Sequence, residues 1–201
     1  MKNCNVINGL NSKTTENLLL GPGAIYKDFT VGTDTVLTAS AKLLGATKGG
    51  SGFKAVPSMR QVEIDGLRGA VKGMDIVDGW DITLSAKIVE VTADNLKLAV
   101  GPATQTAGTS GPPSTEDWEI IKGTNCVLDT DYASNITWIG SLSGTDKPVI
   151  IQVYNALNTK GLELSFEDKG EGVIETEFRG SYDLNKLGEV PFAIFYPKKT
   201  V

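Results

Sequence analysis

Many short stretches of the chain alternate polar and apolar residues, a pattern typical of β-strands that bury one face. The longest alternation covers 81–91. Its apolar face consists of Ile82, Leu84, Ala86 and Ile88. A second alternation covers 61–65, turn residues follow at 66–69, and an apolar stretch returns at 70–77. The pattern therefore predicts a β-hairpin over 61–77, followed by a longer strand.

A short helix is predicted directly after that strand. The Thr92 hydroxyl can cap it, and Asp94 places a negative charge where the helix dipole favours one. Gly101 and Pro102 then end the helix. Further strands are predicted at 118–121, 136–139, 148–154, 162–166, 173–179 and 191–196. The segment 36–44 fits a strand or a helix, and its neighbours favour a strand.

Composition favours one mainly β domain over residues 1–201. The chain has 23 glycines and 8 prolines scattered between its short alternating stretches. Residues 1–17 are polar and predict an N-terminal arm. Residues 101–115 contain no large apolar side chain and predict a mobile surface loop. No stretch approaches the ~20 apolar residues of a membrane span, and no signal peptide is evident, so we expect a soluble protein made in the cytoplasm.

The residue inventory argues against catalysis. The chain has no histidine, which excludes histidine bases and histidine metal sites. The glycines at 49–52 lack the Gly-Lys-Ser/Thr of a phosphate-binding loop, and Asp129-Thr-Asp131 lacks the later oxygen ligands of a calcium loop. A net charge of −5 argues against tight DNA binding. We therefore expect no catalytic residue, no cofactor and no metal.

The order of several short motifs resembles the major tail tube proteins of long-tailed, siphovirus-type bacteriophages. The motifs lie at 45–53, 62–66, 72–73, 90–97, 178–183 and 191–197. The resemblance implies an antiparallel β-sandwich or barrel of two sheets with one short flanking α-helix. It also implies a structural virion protein that forms hexameric rings, which stack into the tail tube and conduct the genome during ejection.

The resemblance further implies partners and a location. Copies of the same chain join through their exposed strand edges, because pairing satisfies backbone groups that a monomer leaves open. A tape-measure protein sets the tube length, terminator and tip proteins close its ends, and double-stranded DNA passes through without specific binding. The protein would be found in the virion tail, and in the host cytoplasm during assembly.

Two groups of residues become site candidates under this resemblance. A negatively charged bore repels DNA, and the acidic candidates for its wall are Glu63, Asp65, Glu175 and Glu177. The segment 49–60 is expected to be a loop that contacts the next ring. Its candidate contact residues are Gly49, Gly50, Phe53, Val56, Pro57 and Met59. Phe53 and Met59 fit equally well under their own sheet.

Two other interpretations stay open. The chain could be a β-sandwich binding module of a tail, which would need an exposed aromatic platform built from Trp80, Trp118 or Trp138. It could also form the inner tube of a contractile injection or secretion system, which shares the conduit architecture.

Overall fold

The computed structural model describes residues 10–11, 13–111, 113, 117–145, 147–164 and 171–198. The described chain is mainly β. Its strands are β1 (Leu19–Lys27), β2 (Thr47–Gln61), β3 (Asp75–Ile88), β4 (Ala103–Ala107), β5 (Glu119–Gly123), β6 (Ala133–Leu142), β7 (Val149–Asn158), β8 (Ile174–Gly180) and β9 (Phe192–Phe195). The α-helix α1 spans Ala93–Val100, and short 3₁₀ helices cover Thr14–Glu16, Ser40–Lys42 and Asp129–Asp131.

Seven strands form one curled antiparallel sheet. Their order is β1-β6-β7-β8-β3-β2, and β9 also pairs with β7. β9 and β8 pair with different parts of β7, at residues 150–153 and 156–158 respectively. The strands β4 and β5 form a second, two-stranded sheet. The predicted mainly β, antiparallel class with two sheets and one short helix is therefore confirmed.

The concave face of the large sheet holds the core, as the alternation in the sequence predicts. Ile82, Leu84 and Ile88 of β3 are at most 1% exposed. They pack with Phe178 of β8 and Ile136 of β6, which are fully buried. Each such side chain contributes about 1.5–3 kcal/mol through burial, so these strands anchor the domain.

The segment 43–47 ties the two ends of the curl together. The Leu44 amide donates to the Ile25 carbonyl of β1 (2.9 Å), and the Val89 amide donates to the Ala46 carbonyl (2.9 Å). Asn95 of α1 is buried against this segment, where its side-chain amide donates to the carbonyls of Leu44 (2.7 Å) and Glu90 (2.9 Å). The helix therefore stabilises the segment that connects β1 with β2, the two strands at the ends of the sheet order.

The predicted helix is confirmed at both ends. The Thr92 hydroxyl accepts a hydrogen bond from the Asn95 amide (3.2 Å), as an N-cap does. Gly101 ends the helix with a φ of 84°, a value that glycine adopts without strain. The strand predictions at 118–121, 136–139, 148–154, 173–179 and 191–196 are also confirmed, with ends shifted by a few residues.

The hairpin predicted over 61–77 is wrong in its position, because the hairpin of the structure pairs β2 with β3. β2 begins at Thr47, so the loop predicted at 49–60 is wrong. The short strand predicted at 61–65 is also wrong, because 62–74 connects β2 to β3. Gly49 and Gly50 have φ values of 88° and 85° and lie in a bulge where the β2–β3 register shifts, which is how a strand absorbs them.

Three other sequence predictions differ from the structure. The segment 36–44 is not a strand: the side chains of Thr35 and Thr38 bond each other's backbone amides and stabilise turns. The loop predicted at 101–115 contains β4, which pairs with β5. The described residues at 162–164 are not a strand, and 165–166 lie outside the described residues, as do 1–9 and 12 of the predicted arm.

Replacement of Asn95 tests how α1 closes the fold. Asn95→Ala leaves two buried carbonyls without their donor, so we expect the free energy of unfolding to fall by about 2–3 kcal/mol. Chemical denaturation followed by circular dichroism measures this loss. The control Asn185→Ala removes an exposed amide in a surface turn and should change stability by less than about 0.5 kcal/mol. Equal stability of the two variants would contradict the role assigned to Asn95.

Candidate assembly surface

Part of the β2–β3 hairpin extends beyond the body of the domain. Along β3, every second residue from Ile82 to Ile88 is buried, but all residues from Asp75 to Asp78 are exposed. Along β2, alternation likewise stops after Pro57, and residues 58–60 are exposed on both faces. We call residues 56–81 the ribbon. A two-stranded ribbon with water on both faces is only marginally stable by itself, so it is an unusual element to leave uncovered.

The ribbon carries a concentration of exposed apolar side chains. They are Val56 (44%), Met59 (62%), Ile64 (53%), Leu67 (39%), Val71 (37%), Ile76 (39%) and Val77 (49%). Met59 and Val77 are cross-strand partners on the face that continues the core side of the sheet. Single exposed apolar residues are common, whereas seven within one hairpin make the ribbon a candidate interaction surface.

Both strand edges of the ribbon are open among the described residues. β2 pairs with β3 alone, and β8 pairs with β3 only from Thr83 to Ile88. The amides and carbonyls along these edges can therefore accept another strand. Cross-strand ion pairs keep the ribbon in register: Lys54 with Asp81 (3.2 Å) and Arg60 with Asp78 (2.9 Å).

Three aromatic rings attach the ribbon to the body. Phe192 of β9 lies with its ring centroid 5.7 Å from that of Phe53 on β2 and 5.7 Å from that of Trp80 on β3. The tilted geometry of both pairs is the one that aromatic side chains prefer. Because Phe53 and Trp80 are on opposite strands of the hairpin, Phe192 fixes both strands where the ribbon leaves the sheet.

A groove of about 490 Å³ lies beside this attachment point. One side is formed by the ribbon, at Val77, Asp78 and Trp80. The other side is the loop between β8 and β9, which contributes Tyr182 and the apolar Leu187 and Val190. Leu187 is 65% exposed, so the groove has an apolar wall that the described chain leaves open to solvent.

The four acidic residues predicted to line a bore do not lie together. Glu63 and Asp65 are exposed in the connection at the far end of the ribbon. Glu175 and Glu177 lie on β8, on the face opposite the core. Because 61–65 is not a strand that runs beside β8, the four residues do not share one face of the sheet in the single chain.

Glu175 is not a free negative charge. Its carboxylate forms ion pairs with Lys160 and with Lys87, the latter at 2.6 Å. The hydrogen bond from Lys160 makes the largest contribution to the low pKa of Glu175, and the bond from Lys87 makes the next largest. Together they lower this pKa to about 2, well below its ordinary value. Nearby, Lys48 pairs with Glu171 (2.5 Å), and this lysine lowers the pKa of that carboxyl as well. Both carboxylates are therefore paired with lysines.

The predicted inter-ring residues divide into two groups. Phe53 is half-buried under its own sheet, as one of the two sequence interpretations expected. Val56 and Met59 are exposed on the ribbon, and Pro57 faces Trp80 where the ribbon leaves the body. Gly49 and Gly50 lie in the bulge near the other end of β2.

The sequence interpretation missed the second half of the surface. Ile76 and Val77 on β3 and Leu67 and Val71 in the connection were assigned to a short hairpin, with no role in contact. The sequence does indicate that this segment exposes apolar side chains on both faces, because Ile76 and Val77 are adjacent apolar residues and strict alternation begins only at Ile82. Adjacent apolar residues in a strand place one of the two on each face.

The tryptophans do not form a binding platform. Trp138 is 7% exposed and its indole N–H donates to the Pro22 carbonyl (3.0 Å). Trp80 is packed against Phe192, and Trp118 alone of the three is substantially exposed, at 41%. The three side chains therefore offer no common exposed face for a sugar or a receptor.

Comparison with protein-family models and with curated proteins finds no match to this chain. Within the described ranges, no helix is long and apolar enough to cross a bilayer.

The ion pairs of Glu175 predict a measurable titration. Because Lys160 contributes most to its low pKa, Lys160→Met should raise the Glu175 pKa toward the ordinary glutamate range. A depressed carboxyl pKa stabilises the fold above the unfolded-state value, and that stabilisation is lost as the pH falls toward 2. The variant should therefore lose less stability than the wild type between about pH 4.5 and 2.

NMR titration of the Glu175 side-chain carbon measures this pKa directly. Lys186→Met, which removes a surface partner of Glu189 (3.4 Å), is the matched control and should leave the Glu175 titration unchanged. An unaltered Glu175 pKa in Lys160→Met would show that Lys160 does not stabilise the carboxylate.

Proposed function

We propose that this chain is the structural subunit of a phage tail tube, which polymerises as stacked hexameric rings and conducts DNA into the host. The observation that carries the proposal is the ribbon, an uncovered extension with open edges and seven exposed apolar side chains. Such an element gains its stability when other chains cover it. The motifs at 45–53, 62–66 and 178–183 support the same family.

Assembly in this proposal uses two kinds of contact between copies of the chain. Strand edges of neighbouring copies pair and satisfy their backbone groups, and ring closure leaves no free edge. Contact between rings is head to tail, so growth continues along the axis until other proteins, of tape-measure, terminator and tip type, set the length. The finished tube belongs to the virion tail, and its subunits assemble in the host cytoplasm.

The polar face of β2, β3 and β8 is the proposed wall of the bore. By the strand register, it presents Lys54, Lys87 and Arg179 together with Asp81, Glu175 and Glu177. Its charges are largely paired, Lys54 with Asp81 and both Lys87 and Lys160 with Glu175, so few cations are free to hold phosphates. In the proposal, a wall of paired charges replaces the acidic wall expected from the sequence and likewise does not bind sliding DNA tightly. No enzymatic activity is part of the proposal.

Assembly of the pure protein tests the proposal. At high concentration we expect hollow rods or rings in negative-stain electron microscopy and a corresponding rise in sedimentation coefficient. Met59→Asp should raise the concentration needed for assembly at least about tenfold, because it would bury an unpaired carboxylate at a cost above about 1.4 kcal/mol. Circular dichroism should remain native, since Met59 is 62% exposed in the single chain.

The matched control is Val127→Asp, at a residue 50% exposed in the connection after β5. It adds the same charge outside the ribbon and should assemble as the wild type does. A wild-type chain that stays monomeric at all concentrations would refute the proposal. Equal assembly of the two variants would refute the role of the ribbon.

A further inference from the structure

The sequence contains two Asp-Gly pairs, Asp65-Gly66 and Asp78-Gly79, and both lie in the ribbon. In such a pair the backbone nitrogen of the glycine can attack the side-chain carboxyl carbon of the aspartate, because the two atoms close a five-membered ring within one short stretch of chain. Glycine hinders this attack least, since it has no Cβ and its backbone rotates freely. The structure places the two pairs in different surroundings.

Asp65 and Gly66 are the central residues of an exposed turn. The Leu67 amide donates a hydrogen bond to the Ile64 carbonyl across this turn (3.1 Å). The φ of Gly66 is 91°, and a Cβ built on this residue would meet no atom within 4 Å. Neither the Asp65 carboxylate nor the Gly66 amide has a hydrogen-bond partner among the described residues. No described contact therefore restrains the two reacting groups from turning toward each other.

Asp78 is held in place by the hairpin. Its carboxylate accepts a hydrogen bond from the Arg60 side chain on the opposite strand (2.9 Å). The following residue, Gly79, lies inside β3 opposite Ser58 of β2. Attack on the Asp78 carboxyl therefore requires the ion pair to break and the strands to separate locally, whereas attack on the Asp65 carboxyl requires neither.

We propose that Asp65 is a site of spontaneous isoaspartate formation. The Gly66 nitrogen bonds to the Asp65 Cγ, and the amide proton leaves together with the carboxyl OH as water, which closes a succinimide ring. Water then adds to one of the two ring carbonyls. Opening at Cγ restores aspartate, whereas opening at the main-chain carbonyl leaves Gly66 bonded to Cγ and gives isoaspartate. The water released in the first step equals the water consumed in the second, and no oxidant or reductant takes part.

The isomer changes the main chain rather than the charge. It keeps one carboxylate at position 65 but adds one methylene group to the backbone inside the turn. Because the hydrogen bond from Leu67 to Ile64 spans this residue, we expect the turn to lose it. The inference is independent of the proposed function, since the reaction needs only water and this turn.

Incubation in water enriched in heavy oxygen tests the inference, because each opening of the ring places one solvent oxygen on the residue. The folded, full-length chain is incubated in dilute solution and then digested with trypsin in ordinary water. Trypsin gives one peptide, 61–68, whose only aspartate is Asp65, and another, 73–87, that contains Asp78. Label should accumulate at Asp65 at least about tenfold faster than at Asp78, and electron-transfer fragmentation should find isoaspartate at position 65.

Three controls separate the effect of structure from the reactivity of the sequence. In denaturant both Asp-Gly pairs lose their surroundings, so their labelling rates should agree within about threefold. Arg60→Met frees the Asp78 carboxylate and should speed labelling at Asp78 in the folded chain by at least about twofold. Asp65→Glu keeps the charge but would have to close a larger, six-membered ring, so label at position 65 should be lost.

The outcomes decide the inference without reference to assembly. Label at Asp65 in the folded chain, with Asp78 labelled comparably only after unfolding, supports the site. An unlabelled Asp65, or equal labelling of Asp65 and Asp78 in the folded chain, overturns it. Either of these results leaves the tube proposal standing, and a chain that fails to form tubes leaves the labelling result unchanged.

Discussion

The structure depends on where burial stops along the β2–β3 hairpin. From Ile82 to Ile88 every second residue of β3 is buried in the core, whereas at the other end of the strand all residues from Asp75 to Asp78 are exposed. A two-stranded extension with this many exposed apolar side chains is only marginally stable in water by itself, and in the proposed assembly a neighbouring chain would cover it. Phe192 marks the boundary, since its ring contacts both Phe53 and Trp80. The same hairpin is thus a core element at one end and, in the proposed assembly, a contact element at the other.

Closure of the curled sheet depends on a small polar junction. Asn95 bonds the carbonyls of Leu44 and Glu90, and this joins α1 to the segment that connects the first strand with the hairpin. The fixed body gives the ribbon a defined direction. The proposed assembly would require this rigidity, because a contact on a mobile arm would not repeat with a constant geometry.

The sequence predicted the buried body better than the ribbon. Alternation from Ile82 to Ile88 and the capping residues Thr92 and Gly101 report on local structure, and each was located correctly. The bulge at Gly49 and the long pairing of β2 depend on β3, which local composition does not encode. Whether Val77 is covered by its own chain is likewise a tertiary property. The placement of Glu63 and Asp65 beside β8 was wrong for the same reason, because it assumed a strand at 61–65.

The bulge at Gly49 and Gly50 has a consequence for the accuracy of the proposed assembly. A regular edge strand of fifteen residues with unpaired backbone groups could pair with another chain in several registers and form disordered aggregates. Gly49 and Gly50, which both have positive φ values, interrupt this strand edge near the body of the domain, and residues other than glycine would be strained there. In the proposed assembly, a mispaired chain would meet this bulge instead of a continuous edge, so the alignment would be selected on the outer part of the strand.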